Sequence, residues 1–253
     1  MGIPDRPIAL VTGGSRGIGA ATSLRLASAG FHVAVNYFSN RSAADEVVAK
    51  IKADGGSAFA VQGDVRDEAQ AIRMIEQAAP DGRLDVLVCN AAAATFTPTP
   101  VTGLSWSDFR AKVTDELASS YTLAQRALAL MEKRKRGSIV FVSSTVADGP
   151  PAPGMAAHGT AKAALNTFAR FLACEAGPMG VRVNVVAPGF VRTEASAHMP
   201  EAVQRQLADR APLGRVAEAD DVARAIAMLV SDDAQFITGA VVPVDGGSTV
   251  SRM

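Results

Sequence analysis

Short apolar runs recur along the chain, and longer segments with helical spacing of apolar residues separate them. The runs are apolar at consecutive positions and rich in β-branched residues, which is typical of parallel strands buried on both faces. They read IALVTGG, FHVAVNY, SAFAVQGD, LDVLVCNAA, GSIVFVSS, VRVNVVAPG and AVVPVDGG. This alternation predicts an α/β protein with a doubly wound parallel sheet of about seven strands and helices on both faces.

Polar residues and glycines between the runs predict where helices begin and end. Ser42, with Asp45 three residues later, resembles a capping box and predicts a helix over 42–53. The basic sequence EKRKRG closes a later helix, where cations favour the helix dipole and Gly137 supplies the stop.

The composition favours one domain and a small-molecule ligand. The chain has 253 residues and no long Pro/Ser-rich linker, so we expect a single domain over residues 1–253. Lys plus Arg and Asp plus Glu each number 25, so no overall charge recommends nucleic acid or an acidic membrane as a partner.

Targeting and cysteine features predict a cytoplasmic protein without a metal site. The sequence MGIPDRPIALVTGG contains no apolar stretch of signal-peptide length, and no segment approaches the length of a membrane span. Cys89 and Cys174 lie in apolar runs without CxxC or Cys/His ligand spacing, which favours reduced thiols in the core.

A glycine-rich turn, VTGGSRGIGAA, follows the first strand and opens the first helix. Gly13 suits a tight turn, Gly17 lets backbone amides approach a pyrophosphate, and Gly19 allows close helix–strand packing. The same letters match the G-x-S-x-G motif of α/β hydrolases, with Ser15 as nucleophile, but that motif normally follows several strands. The turn therefore predicts a Rossmann-type dinucleotide site.

The end of the second strand predicts which dinucleotide binds. No carboxylate between Phe31 and Ala44 is available to accept hydrogen bonds from a ribose 2′-hydroxyl. Arg16 and Arg41, with Ser39 and Asn40 as further donors, could instead hold a 2′-phosphate. We therefore expect NADP(H), with a solvated surface role for Arg41 left open as an alternative.

Five motifs follow one another in order: TGGSRGIG, GDV, CNAA, APGFVRT and FITGAVVPVDGG. In this order they resemble the short-chain dehydrogenase/reductase family over essentially the whole chain, most closely its 3-oxoacyl-carrier-protein reductase-like members. The resemblance implies reversible hydride transfer between a nicotinamide cofactor and a carbonyl or alcohol. It also implies a homotetramer or homodimer, formed through the regions from Tyr121 to Arg136 and from Ala157 to Leu172.

The resemblance implies cofactor contacts along one edge of the sheet, including an adenine contact through the GDV motif and a nicotinamide-side loop that ends at a threonine. The set is Gly13, Ser15, Arg16, Gly17, Ile18, Gly19, Asn36, Ser39, Asn40, Arg41, Asp64, Val65, Asn90, Ala91, Ala92, Lys162, Pro188, Gly189, Val191 and Thr193.

The catalytic set that the resemblance implies is Asn, Ser, Tyr and Lys, and this chain departs from it. Lys162 matches the lysine of Tyr-x-x-x-Lys, but His158 stands at the tyrosine position and Glu116 at the asparagine position. Ser144 ends its strand as the catalytic serine should, whereas Thr145 has the usual sequence offset. The catalytic candidates are therefore Ser144, His158, Lys162 and Glu116, with Thr145 as an alternative hydroxyl.

A histidine is not a conservative replacement for the tyrosine. It would donate as imidazolium, and a nearby Lys162 cation lowers the imidazolium pKa. Glu116 could offset that charge, so that His158 stays protonated or relays a proton through water. We expect an NADPH-dependent carbonyl reductase with a non-standard proton donor. The alternatives are a catalytically degenerate NADP(H)-binding regulatory or scaffold protein and an NADPH-dependent C=C (enoyl) reductase.

Residues 193–213 are predicted to form a substrate lid. Met199, Val203 and Leu207 in this segment suggest a substrate with an apolar portion. Packing of one helix face explains Val203 and Leu207 equally well, and the role of His198 is left open.

Overall fold

A computed structural model of the chain describes residues 6–92, 96–149, 153–197 and 199–250, and of Ala195 only the backbone. The strands are β1 (Ile8–Val11), β2 (His32–Tyr37), β3 (Ser57–Gln62), β4 (Val86–Cys89), β5 (Gly137–Val142), β6 (Val181–Pro188), β7 (Val191–Arg192), β8 (Ala217–Glu218) and β9 (Val241–Val244). The α-helices are α1 (Gly17–Ser28), α2 (Arg41–Ala53), α3 (Glu68–Ala78), α4 (Trp106–Met131), α5 (Ala156–Ala176), α6 (Glu201–Asp209) and α7 (Ala219–Val230).

The main sheet has seven parallel strands in the order β3-β2-β1-β4-β5-β6-β9. The seven apolar runs of the sequence supply these strands, so the predicted fold class is confirmed. The strand order reverses between β1 and β4, and ligands of such sheets bind beyond the carboxyl ends of the strands at this point. A separate pair formed by β7 and β8 was not predicted, because two residues per strand carry no readable pattern.

Helices cover both faces of the main sheet. Side chains of α3, α4 and α5 form a buried core with one face, and those of α1, α2 and α7 form a second core with the other. Within the described ranges, no helix combines the length and the hydropathy that a bilayer crossing needs.

Three local predictions need correction. Asn40, not Ser42, caps α2, because its Oδ1 accepts from the backbone N–H of Ala43 at 3.1 Å and the helix already begins at Arg41. The turn after α4 is closed by Lys135 in the left-handed region, at φ 52°, and Gly137 is instead the first residue of β5.

Cys174 is the third correction, since it is exposed whereas Cys89 is buried. The helical spacing of α5 turns position 174 outward, while Leu172 and Ala173 face the core. The apolar residues around Cys174 in the sequence do not show which face of the helix is buried and which is exposed.

Candidate functional site

The glycine turn lies between β1 and α1, at the point where the strand order reverses. Gly13 and Gly17 have φ values of +61° and +52°, which a residue with a side chain rarely adopts. A Cβ atom on Gly19 would overlap the carbonyl oxygen of Gly13. No described side chain caps the N-terminus of α1 and no acidic residue lies in its first turn, so its backbone N–H groups can receive an anion.

Two asparagines hold this turn in place. Asn36 is buried at the end of β2, and its Oδ1 accepts from the backbone N–H of Gly13 at 3.0 Å. Its Nδ2 donates to the carbonyl oxygen of Gly63 at 3.1 Å. Asn90 follows β4, and its Nδ2 donates to the carbonyl oxygen of Thr12 at 2.9 Å. Asn36 therefore fixes the orientation of the glycine turn from its buried side.

The residues predicted to hold a 2′-phosphate lie at the ends of β2 and of the glycine turn. Arg16 is exposed at the N-cap position of α1, and Ser39 is exposed beyond β2. Arg41 pairs with Asp45 at 3.2 Å on the exposed side of α2. The Asn40 side chain serves as the helix cap described above. Arg16 is thus the cation that is both exposed and adjacent to the turn.

Asp64, the predicted adenine contact, is half-buried just after β3. Its carboxylate is paired with Arg66, whose Nη2 lies 2.6 Å from Oδ2, and this hydrogen bond and charge hold the pKa of Asp64 below its usual range. The guanidinium of Arg66 also lies 5.4 Å from the ring centroid of the exposed Phe38. Val65 beside them is buried. Arg66 adds a cation near the carboxyl end of β2 that sequence reasoning missed.

The predicted nicotinamide-side loop approaches the glycine turn from the other half of the sheet. It starts at Pro188, the last residue of β6, and passes Gly189, where a Cβ would lie 2.9 Å from that of Asp245. The loop continues through Val191 of β7 to Thr193, whose Cγ2 lies 3.3 Å from the position of a Cβ on Gly17.

The remaining predicted cofactor residues lie around the turn and the end of β4. Ser15 and Ile18 are half-buried at the start of α1. Ala91 is also half-buried, and its backbone N–H donates to Thr12 Oγ1 at 3.1 Å, while Ala92 is exposed.

Lys162 and Glu116 form a buried ion pair between α5 and α4. Lys162 Nζ lies 2.5 Å from Glu116 Oε1 and also donates to the carbonyl oxygen of Val142 at 2.9 Å. The other oxygen of Glu116 accepts from Lys112 Nζ at 2.9 Å. Burial alone would raise the pKa of Glu116, but the two lysines outweigh that effect and hold this pKa below its usual value. The carboxylate is therefore charged and shared by two cations.

Ser144 lies two residues after Val142, whose carbonyl oxygen accepts from Lys162 Nζ. Its Oγ accepts from the backbone N–H of Val146 at 3.4 Å and caps a short 3₁₀ turn over Thr145–Ala147. The start of α5 packs on the same turn, because a Cβ on Gly159 would lie 3.2 Å from the carbonyl oxygen of Val146. Ser144 and Thr145 are both half-buried.

His158 is half-buried in the first turn of α5, with its ring stacked on Phe96 at a centroid distance of 5.1 Å. Its Nδ1 is buried without a hydrogen-bond partner in the described parts of the chain. Burial, the largest cause, and the Lys162 and Lys112 cations together lower the pKa of His158 to about 4, against an opposing effect of Glu116. The imidazole is neutral at physiological pH, which corrects the expectation that Glu116 keeps it protonated.

The predicted lid contains a short 3₁₀ turn over Glu194–Ser196 and helix α6. None of the α6 residues is buried, and Val203 is 38% exposed. Packing of α6 against the core therefore does not explain Val203, whereas Leu207 is half-buried and helix packing stays open for it. His198 lies outside the described residues.

Sequence reasoning missed Lys112 as a member of the site. The residue lies in SDFRAKVTDEL, a polar stretch that resembles a solvated helix face. Its spacing of four residues from Glu116 was the available signal, since this spacing places both side chains on one side of α4.

Comparisons with known proteins match this chain over nearly its whole length. Residues 13–249 match the family model described as enoyl-(acyl carrier protein) reductase. An uncharacterized oxidoreductase of Methylorubrum extorquens is 40% identical over 244 residues, which cover 95% of this chain and 96% of the relative. A 3-oxoacyl-[acyl-carrier-protein] reductase of Staphylococcus aureus is 35% identical over 241 residues, covering 94% and 96%. A crystal structure of a short chain dehydrogenase from Burkholderia cenocepacia in complex with NADP superposes with a TM-score of 0.85 at 34% identity, covering 96% of this chain and 97% of that one.

Proposed function

Because the chain belongs to the short-chain dehydrogenase/reductase family of oxidoreductases, we propose that it uses NADPH to reduce the carbonyl group of a small molecule. One juxtaposition supports the proposal most strongly. The glycine turn, the loop that ends at Thr193 and Ser144 each follow a strand at the carboxyl edge of one sheet. Lys162 of α5 reaches the same edge, where its Nζ donates to the carbonyl oxygen of Val142.

The residues present fit a dinucleotide. The turn offers uncapped backbone N–H groups that can donate to a pyrophosphate. Its tight path requires glycine at position 19, where a Cβ would overlap the carbonyl oxygen of Gly13. Arg16, with Arg41 and Arg66 nearby along the edge, would hold the 2′-phosphate of NADP(H). When bound, the dihydronicotinamide supplies a hydride, which adds to the carbonyl carbon while the π electron pair moves onto oxygen.

The chain must then stabilise that oxygen and protonate it. His158 is neutral, so its ring N–H serves as a hydrogen-bond donor to the substrate oxygen and passes on a proton taken up from water. A neutral imidazole in this role has a precedent in triosephosphate isomerase. We assign the second donor to Ser144, because it precedes the 3₁₀ turn on which α5 packs. Lys162 and Glu116 act on His158 with opposite charges, since Lys162 lowers the pKa of the imidazole and Glu116 raises it.

The remaining parts of the proposal concern the surroundings of the site. Residues 193–213 form the lid of a single catalytic domain, and the exposed apolar residues of α6 contact the apolar part of the substrate. A groove of about 510 Å³ between α4 and α5, lined by the exposed Tyr121 and Phe171, supports pairing of subunits into a homodimer or homotetramer. The free thiols of Cys89 and Cys174 agree with a cytoplasmic location.

The experiment is an NADPH-oxidation screen over β-ketoacyl thioesters, diketones, quinones and enoyl thioesters, with identification of the products. We expect an alcohol product from at least one ketone. His158→Phe keeps a ring that can stack on Phe96 and removes the N–H, so it should lower kcat at least tenfold with little change in NADPH affinity. Unchanged turnover in this variant would exclude His158.

The same screen decides between the alternatives. A saturated thioester as the only product would establish an enoyl reductase instead. The matching family model is described by the name of this activity. NADPH binding without oxidation of any compound would favour the non-catalytic dinucleotide binder. In that case His158→Tyr should create carbonyl reduction by rebuilding the family's tyrosine. Glu116→Asn, where it is needed to rebuild the asparagine, should be combined with Lys112→Met so that two buried lysines do not lose their shared counter-charge.

A further inference from the structure

Lys112 is a buried lysine for which the proposed mechanism has no role. It lies one helical turn before Glu116 on α4, its exposed fraction is 5%, and its ammonium group contacts the carboxylate of Glu116 at 2.9 Å. Burial of an ammonium costs free energy, and replacement of buried ion pairs by apolar residues is often neutral or stabilising. Stability alone therefore gives no reason for a lysine at this position.

The charge balance of the cluster gives a reason. Lys162 alone would place one positive charge beside the reaction site. Glu116, at 2.5 Å from it, would cancel this charge, and Lys112 on the second oxygen of the same carboxylate brings the sum back to one positive charge. All three side chains are at least nine-tenths buried, so water screens their charges weakly.

From this arrangement we propose that Lys112 is a positioning residue of the reaction centre, where it preserves one net positive charge around the pair formed by Glu116 and Lys162. The inference rests on the proposed reductase function. Hydride addition turns the substrate carbonyl into an oxyanion, and a nearby net positive charge stabilises that oxyanion until a proton converts it to a hydroxyl. Lys112 acts through Glu116 and does not touch the substrate.

The charged groups that act on His158 come from two helices. Lys162 belongs to its own helix α5, and Lys112 and Glu116 belong to α4. Cys89 on β4 lies near Lys162 and Glu116, and burial raises its thiol pKa, so it adds no charge. Burial lowers the pKa of His158 most, and the balance between Lys112, Lys162 and Glu116 adds to that effect, so a change at Lys112 should move this pKa.

The first test is Lys112→Met, which keeps the length of the side chain and the contact between Glu116 and Lys162 but leaves the cluster without net charge. We expect kcat to fall about tenfold, the equivalent of about 1.4 kcal/mol, with NADPH affinity and KM within about twofold. The histidine titration followed by NMR should show the pKa of His158 moving back toward its ordinary value. The chain has three histidines, and His158→Phe identifies the signal.

Rescue distinguishes charge balance from a structural role. Lys112→Met combined with Glu116→Gln removes one charge of each sign from the parent cluster and should turn over faster than Lys112→Met alone. Lys112→Arg keeps the charge and should also retain most of the activity. Lys133→Met, at an exposed lysine beyond α4, is the matched control and should change nothing.

Two results would overturn the proposal. One is an unchanged His158 titration and kcat in Lys112→Met, and the other is a double variant as slow as Lys112→Met alone. If the parent enzyme reduces no compound, the proposed function fails, yet the His158 titration in Lys112→Met still decides the charge balance. If Lys112→Met does not fold, Lys112→Arg and the double variant carry the test.

Discussion

Glu116→Gln replaces a buried carboxylate by an amide of similar shape and removes the charge that two lysines share. Lys112 and Lys162 then face one another without a counter-charge, since their ammonium groups lie 2.9 and 2.5 Å from the two oxygens of the same group. Lys162 keeps the carbonyl oxygen of Val142 as a partner at 2.9 Å, which does not offset a positive charge. We therefore expect Glu116→Gln to destabilise the fold strongly.

The magnitude follows from the burial of the cluster. Glu116 is 3% exposed, and removal of one partner from a buried pair costs about 3–5 kcal/mol. Domains unfold with a free energy of about 5–15 kcal/mol, so this loss is a large part of the total. At about 2–4 °C for each kcal/mol in a chain of this size, Tm should fall by about 6–20 °C.

Thermal unfolding followed by circular dichroism at fixed protein concentration measures this effect. Glu201→Gln is the control, because Glu201 pairs with Arg205 at 3.1 Å in the same i,i+4 spacing but on the exposed helix α6. Its loss should change the stability by less than about 1 kcal/mol. Lys112→Met combined with Glu116→Gln removes one of the two unpaired cations and should recover part of the lost Tm.

Acid provides a second check with a definite sign. The pKa of Glu116 is lower in the folded protein than in the unfolded chain, so its contribution is fully present above about pH 4.3 and is lost as pH falls through the folded pKa. The Tm difference between the parent and Glu116→Gln should therefore narrow in strong acid. A Glu116→Gln penalty no larger than that of Glu201→Gln, or a double variant no more stable than Glu116→Gln, would refute the reasoning.

Three further predictions concern the cofactor site and the subunit contact. NADPH should bind more tightly than NADH in a fluorescence titration, and Arg16→Ala should weaken NADPH selectively and more than Arg41→Ala does; equal affinities in the parent protein would contradict this. Gly19→Ala should abolish NADPH binding or folding, because its Cβ would overlap a backbone carbonyl, whereas Gly177→Ala, with open space around it, should be tolerated. Phe171→Glu, at a side chain that is 68% exposed on α5, should reduce the molar mass measured by light scattering; a parent protein already monomeric at micromolar concentration would remove the basis for it.

The central strands β1, β2, β4, β5 and β6 were predictable because they are buried on both faces, so apolar residues stand at consecutive positions of the sequence. The edge strands β3 and β9 are partly exposed. The ends of the helices were harder to predict from the sequence. Asn40 and Ser42 are both good N-cap residues two positions apart, and only the backbone path decides which of them reaches a free N–H group. Likewise, no sequence pattern predicts that Lys135 adopts a left-handed backbone conformation.

The residues of the site could be predicted from the sequence, but their charge states could not. The positions of His158, Lys162 and Glu116 follow from motif spacing, but the protonation of His158 depends on burial and on Lys112. Burial of Lys112 results from the packing of α4 on α5, which no local pattern contains. The role of Asn36 was hidden for the same reason, since its partners Gly13 and Gly63 are 23 and 27 residues away.

The shared carboxylate of Glu116 also constrains the order in which this site can have evolved. From a precursor with asparagine at position 116, a lysine at position 112 would bury a second cation beside Lys162 with nothing to neutralise it. A glutamate at position 116 pairs with Lys162 through one carboxylate oxygen, and its second oxygen can then accept from a lysine at position 112. The order of changes that avoids an uncompensated buried cation therefore has Glu116 before Lys112, and loss of Glu116 alone is expected to destabilise the protein once Lys112 is present.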